Sequence, residues 1–172
     1  MNNEPNLKIK EELLVIFKSG KISELLKRVI SIEKKFPKSI FILNLLGSIQ
    51  NELQNYEEAI INFKKIIKIK PDFPDAHYNL GIIYKNLNLM DKSIYHYGTC
   101  IKINPNKFEA YNNLGNIYKD MQKNSLAIKN YLNCLEIKPD YLIALQNFGV
   151  CLQNFNFAKH DFVNTNTVQI SI

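Results

Sequence analysis

One arginine, three cysteines and no long apolar run set the first limits on this 172-residue chain. The net charge of +6, from 22 Lys+Arg against 16 Asp+Glu, rests almost wholly on lysine. Arg28 alone offers the guanidinium best suited to bidentate phosphate and guanine contacts, so the basicity gives nucleic acid little support as a partner. Near the N-terminus the longest purely apolar run, Leu13 to Phe17, spans five residues. A membrane span needs roughly 20, and a secretory core more than this, so neither membrane insertion nor export is expected. The cysteines, Cys100, Cys134 and Cys151, are odd in number and lack CxxC spacing, which argues against a disulfide framework and against a zinc knuckle. A reducing, cytoplasmic setting fits them. Walker, GxGxxG, HExxH and GxSxG patterns are all missing, so no enzyme, cofactor or metal is expected.

What the chain does have is a core-forming composition, 46% hydrophobic and 22% charged, and a strict internal clock. Prolines stand at Pro37, Pro71, Pro105 and Pro139, each 34 residues after the last. Glycines at Gly47, Gly81, Gly115 and Gly149 keep the same period, ten residues behind each proline. Two interlocked ladders of one period define a repeat. Aligned on the proline, the units are 6–39, 40–73, 74–107, 108–141 and a fifth, 142–172, that stops short of its own proline. Within the third, Leu80, Ile83, Tyr84 and Leu87 form one helical stripe before the Asn88–Leu89 turn, and Ile94, Tyr97, Ile101 and Ile103 form a second before Pro105. Each unit therefore reads as two helices.

Helix limits and close contacts also have sequence cues. Asn106-Lys-Phe-Glu109 has the form of a capping box, and Asp72 and Asp140 hold the same cap position in their own repeats. A glycine in mid-helix costs about 1 kcal/mol relative to alanine, so the repeating glycine is expected where a partner helix comes close. Ala59, Ala127 and Ser93 are the small residues on the facing helices.

The third unit, with Leu80-Gly81-x-x-Tyr84, Ser93, Tyr97 and Pro105, resembles the tetratricopeptide repeat. The fourth is closer, with Tyr111, Leu114-Gly115-x-x-Tyr118, Ala127, Tyr131 and Pro139; 40–73 has Gln50 where the tyrosine belongs, and 6–39 has Leu13 in place of the glycine. The resemblance implies an all-α fold, a right-handed α-solenoid of stacked helix-turn-helix units, acting as a non-catalytic scaffold that binds an extended peptide or protein segment in a concave groove lined by first helices. Carried over position by position, the groove set is Asn44, Tyr78, Asn79, Lys85, Asn112, Asn113, Asn116, Lys119 and Asn147. Asn79, Asn113 and Asn147 share one repeat position, resembling the asparagine ladder of the O-linked N-acetylglucosamine transferase type; an amide both donates and accepts, so such a row suits a peptide backbone. The alternative reading is a substrate-recruiting arm of a glycosyltransferase or sulfotransferase. The carboxylate clamp for Hsp70 and Hsp90 tails is not expected: its frame offers Asn44, Ser48, Asn79, Glu109 and Asn113, and Glu109 repels a carboxylate.

The remaining polar groups read as structural. Cys100, Cys134 and Cys151 fall at core positions, and His77, His96 and His160 have no metal-ligand spacing. Lys64, Lys65, Lys68 and Lys70 crowd the end of one second helix, where cations favour the helix dipole. At the C-terminal end, Asp161 and Thr165 stand where an alanine and an aromatic belong. Fraying there would leave Leu142, Leu145, Phe148 and Leu152 open to self-association.

Overall fold

The computed structural model describes residues 3–153, and every regular element among them is a helix. In chain order these are α1 (Leu7–Lys18), α2 (Ile22–Glu33), α3 (Ile40–Glu52), α4 (Tyr56–Ile69), α5 (Pro74–Asn86), α6 (Met90–Ile103), α7 (Phe108–Asp120) and α8 (Asn124–Ile137), followed by a helical run over 142–153. Two compact units divide the chain, Met1–His96 and Tyr97–Ile172, with the division inside α6. The segment expected to form the second helix of the fifth repeat, with Asp161 and Thr165, lies outside the described residues, as does His160.

In the first unit α1 packs on α2, α2 on α3, α3 on α4 and α4 on α5, and α3 also touches α5. Leu13, Leu25, Val29, Ile42, Leu46 and Ile49 close one core cluster; Leu43, Ala59, Phe63, Ile66, Leu80 and Ile83 close the next. Leu13, standing where later repeats have glycine, is fully buried. The N-terminal segment is tied down across a whole repeat: the Glu4 carboxylate accepts from Ser39 Oγ at 2.9 Å and from the Ile40 N–H at 3.0 Å. Ser39 in turn accepts from the Ile42 N–H at 3.2 Å, so the start of α3 is capped by both a hydroxyl and a carboxylate. In the second unit α7 packs on α8, and Ala127, Tyr131 and Cys151 are buried together with Phe148 against them.

At Gly47 and Gly115 the glycine clock has the expected steric cause, whereas a Cβ on Gly149 would meet nothing within 4 Å among the described residues. A Cβ on Gly115 would sit 2.5 Å from Tyr131 Cε1, and one on Gly47 would sit 2.9 Å from Phe63 Cζ, so each ring lies directly over its glycine. Ala59 and Ala127 are fully buried on the facing helices. Buried Ser93 fills the same column and donates its hydroxyl to the Gly81 carbonyl at 2.7 Å.

Three expectations are corrected. Asn106 does not cap α7: the helix starts at Phe108 behind Lys107, and no side chain caps it. Pro105-Asn106 forms the corner of the turn instead, where the Asn106 N–H donates to Asn104 Oδ1 at 3.1 Å and its carbonyl accepts from Phe108 N–H at 2.9 Å. Asp72 and Asp140 occupy the same corner, and α5 begins behind Phe73 with Pro74 in its first turn, where a missing N–H leaves no helix bond unmade. Leu87 is the C-cap of α5 and is 39% exposed, because the stripe ends at Tyr84.

A second clock marks the turns within repeats. Gly20, Gln54, Asn88 and Gln122 all have positive φ, between 58° and 71°, and are spaced by the repeat length. An L-residue in this region is strained by about 1 kcal/mol, and glycine is not. Gln122→Gly is therefore expected to stabilise the 108–141 hairpin by about 0.5–1 kcal/mol, read as a higher urea midpoint; Gly20→Ala should lower it.

Candidate functional site

The residues expected to line a groove come from first helices, and the structure places them in two groups, one in each unit. In the first unit Asn44 and Asn51 on α3, and Tyr78, Asn79 and Lys85 on α5, are all half-buried. The amide oxygens of Asn44 and Asn51, one heptad apart on α3, are shielded from solvent and have no hydrogen-bond partner among the described residues. Buried acceptors are rarely left so, and the Asn112 oxygen on α7 shares the feature.

In the second unit several of the predicted amides already have partners. Asn113 Nδ2 donates to the Tyr97 hydroxyl at 3.2 Å, and Asn116 Oδ1 accepts from the Tyr131 hydroxyl at 2.8 Å. Lys119 Nζ donates to Asn147 Oδ1 at 3.3 Å, so α7 and the run 142–153 lie side by side with their first-helix positions in contact. Asn112 differs: it is 4% exposed, on the packed side of α7, and its amide oxygen is unpartnered. Burial also pushes the Tyr131 phenol well up, keeping it a neutral donor to Asn116.

The structure brings together a pair that sequence spacing did not suggest. His77 on α5 and His96 on α6 approach Nδ1 to Nδ1 at 3.1 Å, and Tyr84 stacks on His96 at 5.3 Å between centroids. Tyr95 meets the same ring edge-on, and Lys92 lies 5.5 Å over Tyr84. In the preceding repeat the corresponding positions hold Gln50 and Asn62, which hydrogen-bond at 2.7 Å. The missing tyrosine is thus matched by a second change: an amide pair replaces a stacked ring pair.

Burial, then the neighbouring His77 and Lys64, hold His96 down from 6.5 to about 4, and burial lowers His77 as well. Between those two values the unfolded chain carries the proton that the folded one refuses, so stability rises with pH across the window and falls on acidification. Allowing for solvent at the outer edge of the ring, the loss from pH 6.5 to 4 is on the order of 1–2 kcal/mol. Urea melts at stepped pH test this; His96→Asn should flatten the profile.

The three thiols are buried, and burial pushes Cys134 up to about 11, far from a reactive thiolate. Among the described residues no three metal-capable side chains cluster, and no helix is long and apolar enough to cross a membrane.

These features define a class first: an all-α, solenoid-type array of helix-turn-helix repeats held by glycine–aromatic contacts, with polar first-helix faces. Family comparison then supplies the membership. A TPR repeat model matches 47–88, and the tetratricopeptide repeat model matches 74–107 and 108–141, so the matched residues span more than half of the sequence. The chain belongs to the tetratricopeptide-repeat family.

Solved structures agree on the fold. MamA has a TM-score of 0.74 at 23% identity, covering 82% of each chain. The first TPR of Spaghetti (RPAP3) bound to an HSP90 peptide has a TM-score of 0.65 at 22% identity, covering 68% of this chain and 93% of that one. YrrB, described as a TPR protein with an unusual peptide-binding site, has a TM-score of 0.68 at 17% identity, covering 90% and 80%. No curated protein matches the sequence significantly. None of these matches links the chain to the glycosyltransferase type its asparagine row resembles.

Proposed function

We propose that the chain is a non-catalytic scaffold that holds an extended segment of a protein partner on its first-helix faces. The observation that carries this reading is the row of half-buried polar side chains on neighbouring first helices, Asn44 and Asn51 on α3 beside Tyr78, Asn79 and Lys85 on α5. In the second unit Asn113, Asn116, Lys119 and Asn147 supply the corresponding face. Amides in such rows bond the backbone of a partner, and Tyr78, Lys85 and Lys119 bias its side chains. The peptide complex of the RPAP3 repeat supports the mode of binding but not its peptide, because Glu109 stands where the clamp needs a cation.

At about 1 kcal/mol for each neutral hydrogen bond, micromolar affinity is expected. The test is selection of uncharged peptides from a displayed random library on the full chain, followed by titration of the winner against Asn79→Ala/Asn113→Ala/Asn147→Ala. Weakening of about tenfold or more with helical dichroism intact supports the reading. Unchanged affinity removes these amides from it.

A further inference from the structure

The repeat generates the same cleft in both units. In the first, Pro37 and Lys38 of the α2–α3 turn face Lys65, Lys68 and Ile69 of α4 across a cleft of about 490 Å³. In the second, Pro105 and Asn106 of the α6–α7 turn face Asn133, Glu136 and Ile137 of α8 across one of about 710 Å³, with Tyr111 also lining it. Residue for residue the two sets stand two repeats apart. Proline and isoleucine recur in both, while the three lysines of one cleft are Asn, Asn and Glu in the other.

That internal comparison separates what the fold requires from what it does not. Pro37 and Ile69 recur in both clefts and belong to the architecture; the three lysines do not recur together. The helix dipole accounts for Lys68, in the last turn of α4 as Lys102 is in that of α6, but not for Lys38 in the turn before α3 or for Lys65 a turn further in. Lys65 and Lys68 lie three apart on α4, and Lys64 and Lys68 four apart, spacings at which like charges weaken a helix slightly. Glu33 pairs with Lys65 at 3.5 Å, and Lys38 and Lys68 form no ion pair among the described residues. The cleft is thus a concave, apolar-floored site with a cationic rim, on which Lys38 and Lys68 have no ion-pair partner among the described residues.

We propose that this cleft binds an acidic segment of a protein partner, with an apolar side chain of that segment on Pro37 and Ile69 and its carboxylates on Lys38, Lys65 and Lys68. Charge complementarity selects the sign of the partner, and the apolar floor selects a peptide over a bare anion. The lining has no arginine and no aromatic on which a base could stack, which disfavours nucleic acid. Its concavity suits an inserted side chain rather than a flat lipid surface. The site is formed by a turn and a second helix, so it does not depend on the first-helix reading above.

The test is fluorescence anisotropy of a labelled peptide, Gly-Asp-Glu-Leu-Glu-Asp-Gly, titrated with the full chain at low salt. Replacing the rim by the residues of the second unit, Lys38→Asn/Lys65→Asn/Lys68→Glu, keeps side chains that the same fold already accepts at those positions. Weakening of about tenfold is expected, and a weaker response to the Leu-to-Ser peptide. The reverse graft, Asn106→Lys/Asn133→Lys/Glu136→Lys, should add a second binding site per chain, which no general charge effect would produce. Unchanged affinity in the first variant, or no second site in the graft, overturns the proposal. So does stronger lysine-dependent binding of polyuridylate or of phosphatidylserine vesicles than of the peptide.

Discussion

Replacing Tyr131 by alanine is expected to destabilise the second unit by about 3–5 kcal/mol, the largest single effect in the described residues. The ring is fully buried, lies over Gly115, packs with Ala127 and Cys151, and is anchored by its hydroxyl on Asn116. Truncation empties the centre of the α7–α8 interface, which cannot collapse because Gly115 brings no side chain to fill it. Tyr131→Phe separates the two contributions: it keeps the ring and loses only the Asn116 bond, at about 1 kcal/mol. Repeat arrays can unfold in parts, so hydrogen exchange of α7 and α8 should accompany the urea melt. A loss below about 1 kcal/mol for Tyr131→Ala would show that the hairpin is not built around this ring.

Gly115→Ala should destabilise by about 2 kcal/mol, although alanine is the better helix former by about 1 kcal/mol. The added methyl would meet Tyr131 Cε1 at 2.5 Å and Cδ1 at 2.7 Å, along the side of a ring whose hydroxyl is held by Asn116 and cannot swing away. Gly47→Ala meets only the tip and outer edge of Phe63, at 2.9–3.2 Å, and that ring has no hydroxyl to fix it. Its cost should be near zero, the small shift being offset by helix propensity. Stability of the two variants by chemical denaturation decides the matter, and a Tyr131→Leu background should rescue Gly115→Ala.

The periodic part of this fold was open to reading from sequence because periodicity amplifies weak signals. One proline is a loop residue, but four at a fixed interval with glycines in step define a repeat. The two-helix division followed from apolar spacing, and the small residues facing the glycines followed from the same register. Contacts between singular residues gave no such signal. His77 and His96 lie 19 residues apart, each the only histidine in its repeat column, so nothing periodic paired them. Glu4 reaches Ser39 across 35 residues for a cap with no counterpart in later repeats. The positive φ at this turn was legible at Gly20 and Asn88 but hidden at Gln54 and Gln122, where glutamine gives no left-handed cue. Asn106 misled in the opposite sense: the capping-box pattern was present, but the proline before it drew the asparagine into the turn and moved the helix start one residue on.

For the candidate site, sequence could assign residues to first-helix positions but not say which amides were already engaged. Asn116 holds Tyr131 and Asn147 holds Lys119, contacts that depend on the depth of each helix in the unit. Asn112 lies on the packed side of α7 although its repeat position matches that of half-buried Asn44.

Amide chemical-shift mapping of the full chain, titrated with an uncharged peptide enriched on it, tests the scaffold reading most directly. The account predicts that perturbations gather on α3, α5 and α7, with the side-chain amides of Asn44, Asn79 and Asn113 among the largest. Perturbations gathered on α4, α6 and α8 with those amides unmoved would contradict it.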